Sequence, residues 1–180
     1  MQGVTTLLHG LRNRSQDTHG RTVVGVVTNS DHRIPKVLAS FGLRVSPLLF
    51  GSKPLQEDTA TEQYDIDFTV LSYDVGHEKP DKRIFTAAED MLKLLPNARD
   101  SGLASWDKVF VGDEYEKDVV GARNAGWNSV LINGGASSMP EDVENLNQQE
   151  PGDLMQHMRD GHPHVALSSL EKLAQWLNIR

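Results

Sequence analysis

The fold is decided by residues 109–132, which read VFVGDEYEKDVVGARNAGWNSVLI. An apolar run over 109–111 leads through a glycine into a polar loop. A segment with helical spacing follows, stops at Gly126, and gives way to a second apolar run over 129–132. A strand, a helix and a second strand in this order are typical of a parallel sheet whose strands are joined by helices. The pattern predicts an α/β fold.

The same alternation extends toward the N-terminus. The nearly all-apolar run over 22–27 predicts a strand covered on both faces, and a helix is expected near 33–41. A second strand is predicted over 68–71, followed by a loop over 72–79. Pro80 suits the first position of the next helix. The apolar face of that helix consists of Ile84, Phe85, Ala88, Met91, Leu92 and Leu95.

The C-terminal third has a different composition. Residues 133–163 are polar and rich in Gly, Ser, Asn, Gln and Glu, which predicts a partly disordered excursion with one short helix near 153–159 and no catalytic residue. Residues 164–167 are expected to form a last strand at the sheet edge, followed by a closing helix capped by Ser168 or Ser169. Because no linker is visible, residues 1–180 are interpreted as a single domain.

Composition excludes several classes of protein. The 180 residues include 18 Lys and Arg against 25 Asp and Glu, and the net charge of −7 argues against nucleic acid or an anionic membrane as a partner. The absence of cysteine excludes a disulfide scaffold and a thiol nucleophile. The apolar runs are far shorter than the ~20 residues of a membrane helix. We therefore expect a soluble cytoplasmic or nuclear protein.

Polar residues follow three of the predicted strands. They are Thr28-Asn29-Ser30, Lys79-Pro80 and the acidic segment 113–118. The carboxyl ends of parallel strands meet where α/β proteins bind ligands, and Asp113 and Asp118 are suited to share one Mg²⁺. Each motif also has an ordinary structural explanation, since hydroxyls cap turns, loop lysines are solvated and acids stabilise helix starts. The residues taken singly leave both interpretations open.

Taken together and in this order, the three motifs resemble the haloacid dehalogenase-like (HAD) hydrolase superfamily. The sequences around the motifs also resemble the family: VVTNSD over 26–31, VGHEKPD over 75–81 and DVVGARNAGW over 118–127. The resemblance covers about 7–132, with a looser match over 164–178. It implies a Rossmannoid three-layer core with a mostly parallel sheet. It also implies phosphatase-type, Mg²⁺-dependent phosphoryl transfer on a small phosphorylated substrate.

The resemblance assigns a role to each motif residue. Thr28 is expected to hold the transferring phosphoryl group as a catalytic residue, with Asn29 beside it in the phosphate site. Lys79 is expected to balance the phosphate charge and is the second catalytic residue. Asp113 is expected to bind Mg²⁺, and Asp118 to be its companion, either as a direct ligand or as a support for the ligands.

The family's nucleophile is the first Asp of an Asp-x-Asp-x-Thr motif at the end of a strand upstream of Thr28. The literal match Asp65-Ile66-Asp67-Phe68-Thr69 lies downstream of Thr28 and precedes its apolar run. Asp65 and Asp67 are therefore expected at the amino end of a strand, ~15 Å from the site. The resemblance thus implies a core without the first, central strand, its nucleophile and the cap: an N-terminally truncated or degenerate member, inactive alone.

Three alternatives stay open. In the first, the chain retains residual phosphatase activity through Asp67 or Asp113. In the second, it is a non-catalytic binding module with a magnesium or phosphate pocket. In the third, it associates with itself or with another chain through the sheet edge that the absent strand leaves open.

A metal site at His157, His162 and His164 is disfavoured. Their spacing is only loosely metal-like, and the seven histidines of this chain need no metal to explain them.

Overall fold

Strands and helices alternate along the chain in the computed structural model, which describes residues 2–17, 22–52, 63–95, 106–134 and 139–179. The elements are α1 Gln2–Asp17, β1 Gly25–Thr28, α2 Ile34–Ser40, β2 Phe68–Leu71, α3 Ser72–Val75, α4 Lys82–Leu94, β3 Val109–Gly112, α5 Val120–Asn124, β4 Asn128–Ile132, β5 Glu144–Asn145, α6 Leu154–Arg159, β6 His164–Leu167 and α7 Leu170–Trp176. One turn of π-helix over Tyr115–Val119 leads into α5. The predicted α/β class is confirmed.

The strands form two parallel sheets. In the first, β1 pairs with β2, with Gly25 opposite Phe68 and Thr28 opposite Leu71. In the second, the strand order is β3, β4, β6, β5, and every neighbouring pair is parallel. Within the described ranges, β1 pairs only with β2 and β3 only with β4. One edge of β1 and one edge of β3 therefore have no neighbouring strand among these residues.

Helices connect the two sheets. The predicted face of α4 is buried, and Phe85 packs edge to face on Phe110 of β3, with 5.3 Å between ring centroids, and on Trp127 at 5.6 Å. At the other end of the sheets, Leu7 of α1 joins the core under the second sheet, and Arg12 Nη1 lies 2.8 Å from Asp65 Oδ1, just before β2. The sheets are thus held side by side by α1 and α4.

The second sheet is covered on both faces. Val130 and Val165 point into a core with α6 and α7, whereas Leu131 and Ala166 point into a core with Val119 and Val143. Alternation of neighbouring side chains between the two faces is the expected pattern for buried strands. This arrangement gives the predicted three layers.

The prediction that the first strand is covered on both faces is wrong. The strand begins at Gly25 rather than at Thr22, and it is half-buried, with Gly25 exposed. Val111 of β3 is likewise 41% exposed, whereas β2 and β6 are buried along their whole length. Neither β1 nor β3 has a neighbouring strand along one edge among the described residues, so part of the surface of each strand is left in water.

Two local expectations near the site differ from the structure. The segment predicted as a loop over 72–79 begins with α3, and α4 begins at Lys82 with Asp81 as its N-cap. Pro80 therefore precedes the helix instead of occupying its first position, and the Lys79–Pro80 peptide bond is cis. The Asp81 side chain accepts a hydrogen bond from the backbone N–H of Arg83, which replaces proline as the start signal.

The polar segment 133–163 has more structure than expected in its described part, 139–163. It contributes the edge strand β5, so that β6 lies inside the sheet and not at its edge as predicted. The short helix expected near 153–159 is α6, capped by Asp153. A few spaced apolar residues anchor this segment in the core, namely Val143, Leu146, Leu154 and Met158. Nowhere in the described ranges is there a helix with the length and apolar character needed to cross a membrane.

Candidate functional site

Asn29 joins the end of β1 to the loop before α4. Its Nδ2 donates to the backbone oxygen of Lys79 at 3.1 Å, and its Oδ1 accepts from the backbone N–H of Lys79 at 2.7 Å. Two hydrogen bonds from one side-chain amide fix both the position and the orientation of the partner peptide. Asn29 therefore holds Lys79 at the carboxyl ends of the first sheet.

The Lys79 side chain reaches the second sheet. Its Nζ lies 2.7 Å from Oδ1 of Asp118, and the two side chains are 13% and 4% exposed. The same Nζ lies 4.8 Å from the centroid of the Phe110 ring, at a distance suited to a cation–π interaction. This ion pair spans the gap between the two sheets at their carboxyl edge.

The loop after β3 wraps around the second oxygen of Asp118. Oδ2 accepts the backbone N–H groups of Asp113 at 3.0 Å and Glu114 at 2.9 Å. Gly112 makes this possible, because a Cβ atom there would lie 2.1 Å from Oδ2. Asp118 itself belongs to the π-helical turn, a geometry common at functional sites. Its carboxylate thus has three hydrogen-bond donors.

The structure brings together some of the predicted site residues directly. Asn29, Lys79 and Asp118 form one hydrogen-bonded group, and Asp113 contributes its backbone N–H to the same group. Thr28 ends β1 one residue before Asn29. Sequence reasoning assigned Asn29 to phosphate and missed its clamp on Lys79, a contact across fifty positions that no local pattern indicates.

One of the two predicted magnesium ligands, Asp118, is already engaged by protein groups. Both oxygens of Asp118 are already engaged, one by the Lys79 ammonium and the other by two backbone amides. Of the two predicted metal ligands, only Asp113 has an exposed carboxylate with no hydrogen bond or ion pair to the described residues. Mg²⁺ is usually held by one or two carboxylates together with substrate phosphates and waters. Asp113 would therefore hold Mg²⁺ only together with a substrate phosphate and waters.

The Asp65-x-Asp67 motif lies at the opposite end of the first sheet, as predicted. Asp65 is buried and accepts hydrogen bonds from Arg12 Nη1 and from the backbone N–H of Arg44, each at 2.8 Å. Asp67 Oδ2 accepts the N–H of Val24, one residue before β1, at 2.8 Å. Both carboxylates stabilise the amino ends of the strands, and neither faces Lys79.

An open groove flanks the site on the side of the first sheet. It has a volume of about 550 Å³, and its lining includes Ser30, Ser72, Tyr73, His77 and Glu78. Tyr73 is 70% exposed. The groove depends on α3, a segment whose sequence predicts a loop, and the sequence therefore does not indicate its walls.

Comparison with known proteins gives consistent matches. Residues 77–160 match the family model described as HAD-hydrolase-like. Bovine haloacid dehalogenase-like hydrolase domain-containing protein 3 is 28% identical over 134 residues, which cover 74% of this chain and 40% of the relative. Phosphoserine phosphatase of Thermus thermophilus is 33% identical over 116 residues, covering 63% of this chain and 42% of the relative.

The fold also matches solved structures. The HAD-hydrolase YfnB of Bacillus subtilis, crystallised with magnesium, superimposes with a TM-score of 0.61 at 19% identity, covering 99% of this chain and 56% of YfnB. At this identity the match concerns the fold. The chain spans less than half the length of the curated relatives it matches.

Proposed function

We propose that this chain, a member of the HAD-like hydrolase superfamily, provides the phosphate-binding and charge-balancing part of a phosphatase-type active site and does not hydrolyse phosphate esters by itself. The observation that carries the proposal is the Lys79–Asp118 ion pair at the joint carboxyl edge of the two sheets. The name of the phosphoserine phosphatase relative supports a small phosphorylated substrate.

Lys79 has the properties of a phosphate ligand. An ammonium group has three N–H donors, and Asp118 takes one of them, which leaves two for an oxyanion. Asn29 fixes the lysine backbone, and Asp118 fixes its tip, so the cation is preorganised. In this proposal Thr28 adds a hydroxyl donor at the end of β1, and Asn29 acts by positioning Lys79.

The proposal of inactivity rests on the placement of the carboxylates. Asp65 and Asp67 hold the amino ends of the strands, which disfavours residual activity through Asp67. Asp118 is ion-paired and hydrogen-bonded on both oxygens. Asp113, the other residue considered for residual activity, is exposed at the surface instead of being enclosed in a site.

An aryl phosphate assay with Mg²⁺ tests inactivity. We expect the wild-type chain and the Asp113→Asn variant to give the same rate as buffer. Turnover by the wild-type chain that disappears in Asp113→Asn would overturn the proposal and assign the activity to Asp113.

Titration with inorganic phosphate, followed by calorimetry, tests the role of Lys79. We expect Lys79→Met to weaken binding at least tenfold. Lys93→Met is the matched control, because Lys93 is also ion-paired, with Asp90 at 2.6 Å, but lies on the exposed side of α4. Equal affinity for wild type and Lys79→Met would refute the phosphate-binding role.

The edges of β1 and β3 that have no neighbouring strand in the described part of the chain support a second proposal, self-association of this chain. Val111 is 41% exposed in β3, and unpaired strand edges of this kind promote pairing between chains. We expect the sedimentation coefficient to rise with protein concentration and Val111→Lys to suppress the rise, since charge on an edge strand opposes pairing. A wild-type chain that stays monomeric at all concentrations would rule out this proposal.

A further inference from the structure

Two histidines and a glutamate converge at the amino ends of β5 and β6, far from the Lys79 site in the fold. His157 Nε2 lies 2.9 Å and His162 Nδ1 lies 2.7 Å from the same oxygen, Oε2 of Glu144. All three atoms lie within 4.8 Å of one another. The residues come from β5, α6 and the loop before β6, so folding is required to bring them together.

We propose that Glu144, His157 and His162 bind a divalent transition-metal ion of the zinc type. Two imidazole nitrogens and one carboxylate oxygen are a donor set that suits Zn²⁺, Co²⁺ and Ni²⁺ and does not suit Mg²⁺. In a tetrahedral zinc site with bonds of about 2.0–2.1 Å, ligand atoms lie about 3.3 Å apart. The observed nitrogen to oxygen distances need to open by only about half an ångström to admit the ion.

The surrounding structure orients these three ligands. Gln149 Nε2 donates to the other oxygen of Glu144 at 3.0 Å, which directs Oε2 toward the histidines. The imidazole rings of His157 and His162 are stacked, with 4.6 Å between centroids and 20° between planes. Partners that fix ligand orientation in this way commonly support metal affinity. Gln149 thus orients the carboxylate, and the two rings lie side by side next to it.

The site rests on anchored elements and is open to solvent. Leu154 and Met158 bury α6 in the core, and β5 is paired with β6. The side chains of His157, Glu144 and His162 are 21%, 31% and 49% exposed, so an ion can enter directly from water. Three protein ligands leave one coordination position for water or an external ligand. His164, by contrast, is buried and hydrogen-bonded to Ser129, and it does not belong to the group.

Calorimetric titration of the metal-free full-length chain with ZnCl₂ tests the proposal. We expect one Zn²⁺ per chain, and a loss of affinity of at least tenfold in each of Glu144→Gln, His157→Asn and His162→Asn. His32→Asn is the matched control, since His32 also lies beside a carboxylate, Asp74 at 3.5 Å, but has no second histidine. Absence of 1:1 binding, or equal affinity in the variants and in the control, would overturn the site.

Two measurements on the unmodified chain keep the test valid if a variant fails to fold. The proposal expects Zn²⁺ to shift the imidazole NMR resonances of two of the seven histidines, and Ni²⁺ to quench Trp176, whose ring lies 5.6 Å from His157. Shifts spread over all histidines would contradict it. Because the site lies at the opposite edge of the sheet, these results do not depend on the phosphatase proposal.

Discussion

Lys79 and Asp118 connect two sheets that share no strand pairing among the described residues. Their charged atoms lie 2.7 Å apart, and both side chains are largely shielded from water. Lys79 is held from one side by Asn29, and Asp118 from the other by the amides of Asp113 and Glu114. The pair is therefore both the centre of the candidate site and a structural link between the halves of the fold.

Asp118→Asn is expected to destabilise the chain by about 3–5 kcal/mol, because it leaves a shielded ammonium without its counter-charge. Lys79→Met should cost less, about 1–3 kcal/mol, since Asp118 keeps its two backbone donors. Urea unfolding of both variants and of the double variant measures the coupling. Strict additivity of the two effects would show that the ion pair contributes nothing of its own.

Gly112→Ala is expected to disturb the same ion pair through sterics alone. The new Cβ would lie 2.1 Å from Oδ2 and 2.4 Å from Cγ of Asp118, so the carboxylate must move and its backbone hydrogen bonds must lengthen. We expect a loss of about 1–3 kcal/mol in the free energy of unfolding, measured in urea. Gly152→Ala is the control, because its Cβ would meet only Trp176, at 3.5 Å. Equal stability of the two variants would mean that the loop adjusts without cost.

Periodicity predicted the parts of the fold that depend on local sequence. Ile84, Phe85 and Met91 recur at helical spacing, and all three are buried in α4. Gly126 ends the helical segment with a φ of 74°, as its position indicated. In each case the residues that make the element are also those that determine its core face.

Features that depend on distant partners could not be predicted in this way. Val111 is exposed in a strand that has no neighbour on one side among the described residues, which its own apolar sequence does not reveal. Strand β5 has only two residues, Glu144 and Asn145, too few for any periodic pattern. The group formed by Glu144, His157 and His162 includes two of the three histidines with loosely metal-like spacing, and the carboxylate that joins them lies on a separate strand.

The Asp81 cap is expected to make stability depend on pH in the acid range. Hydrogen bonds from the Arg83 side chain, and then from its backbone N–H, hold the pKa of Asp81 well below its usual value. A lowered folded-state pKa means that the stabilisation is complete above the unfolded pKa of about 3.9 and is lost as the pH falls below it.

The Asp81→Asn variant isolates this charge, because Asn also caps helices well. We expect wild type to have the higher urea midpoint at pH 7, an advantage that is unchanged at pH 5 and shrinks below about pH 4. Asp90→Asn, in the same helix but paired with exposed Lys93, should have little effect. An advantage that grows on acidification would contradict the assigned direction of the pKa.

Asp65 and Asp113 belong to the two acidic motifs, and loss of their charge is expected to affect stability very differently. Asp65 has a side chain that is 1% exposed and accepts hydrogen bonds from Arg12 and from the Arg44 backbone, so Asp65→Asn should lower the free energy of unfolding by about 3 kcal/mol or more. Asp113 is exposed, and Asp113→Asn should change the free energy of unfolding by less than about 0.5 kcal/mol. Phosphate binding of the folded chain should not change in Asp65→Asn, because that carboxylate stabilises the amino end of the sheet. A large loss of phosphate affinity in folded Asp65→Asn would instead place the Asp-x-Asp motif in the site.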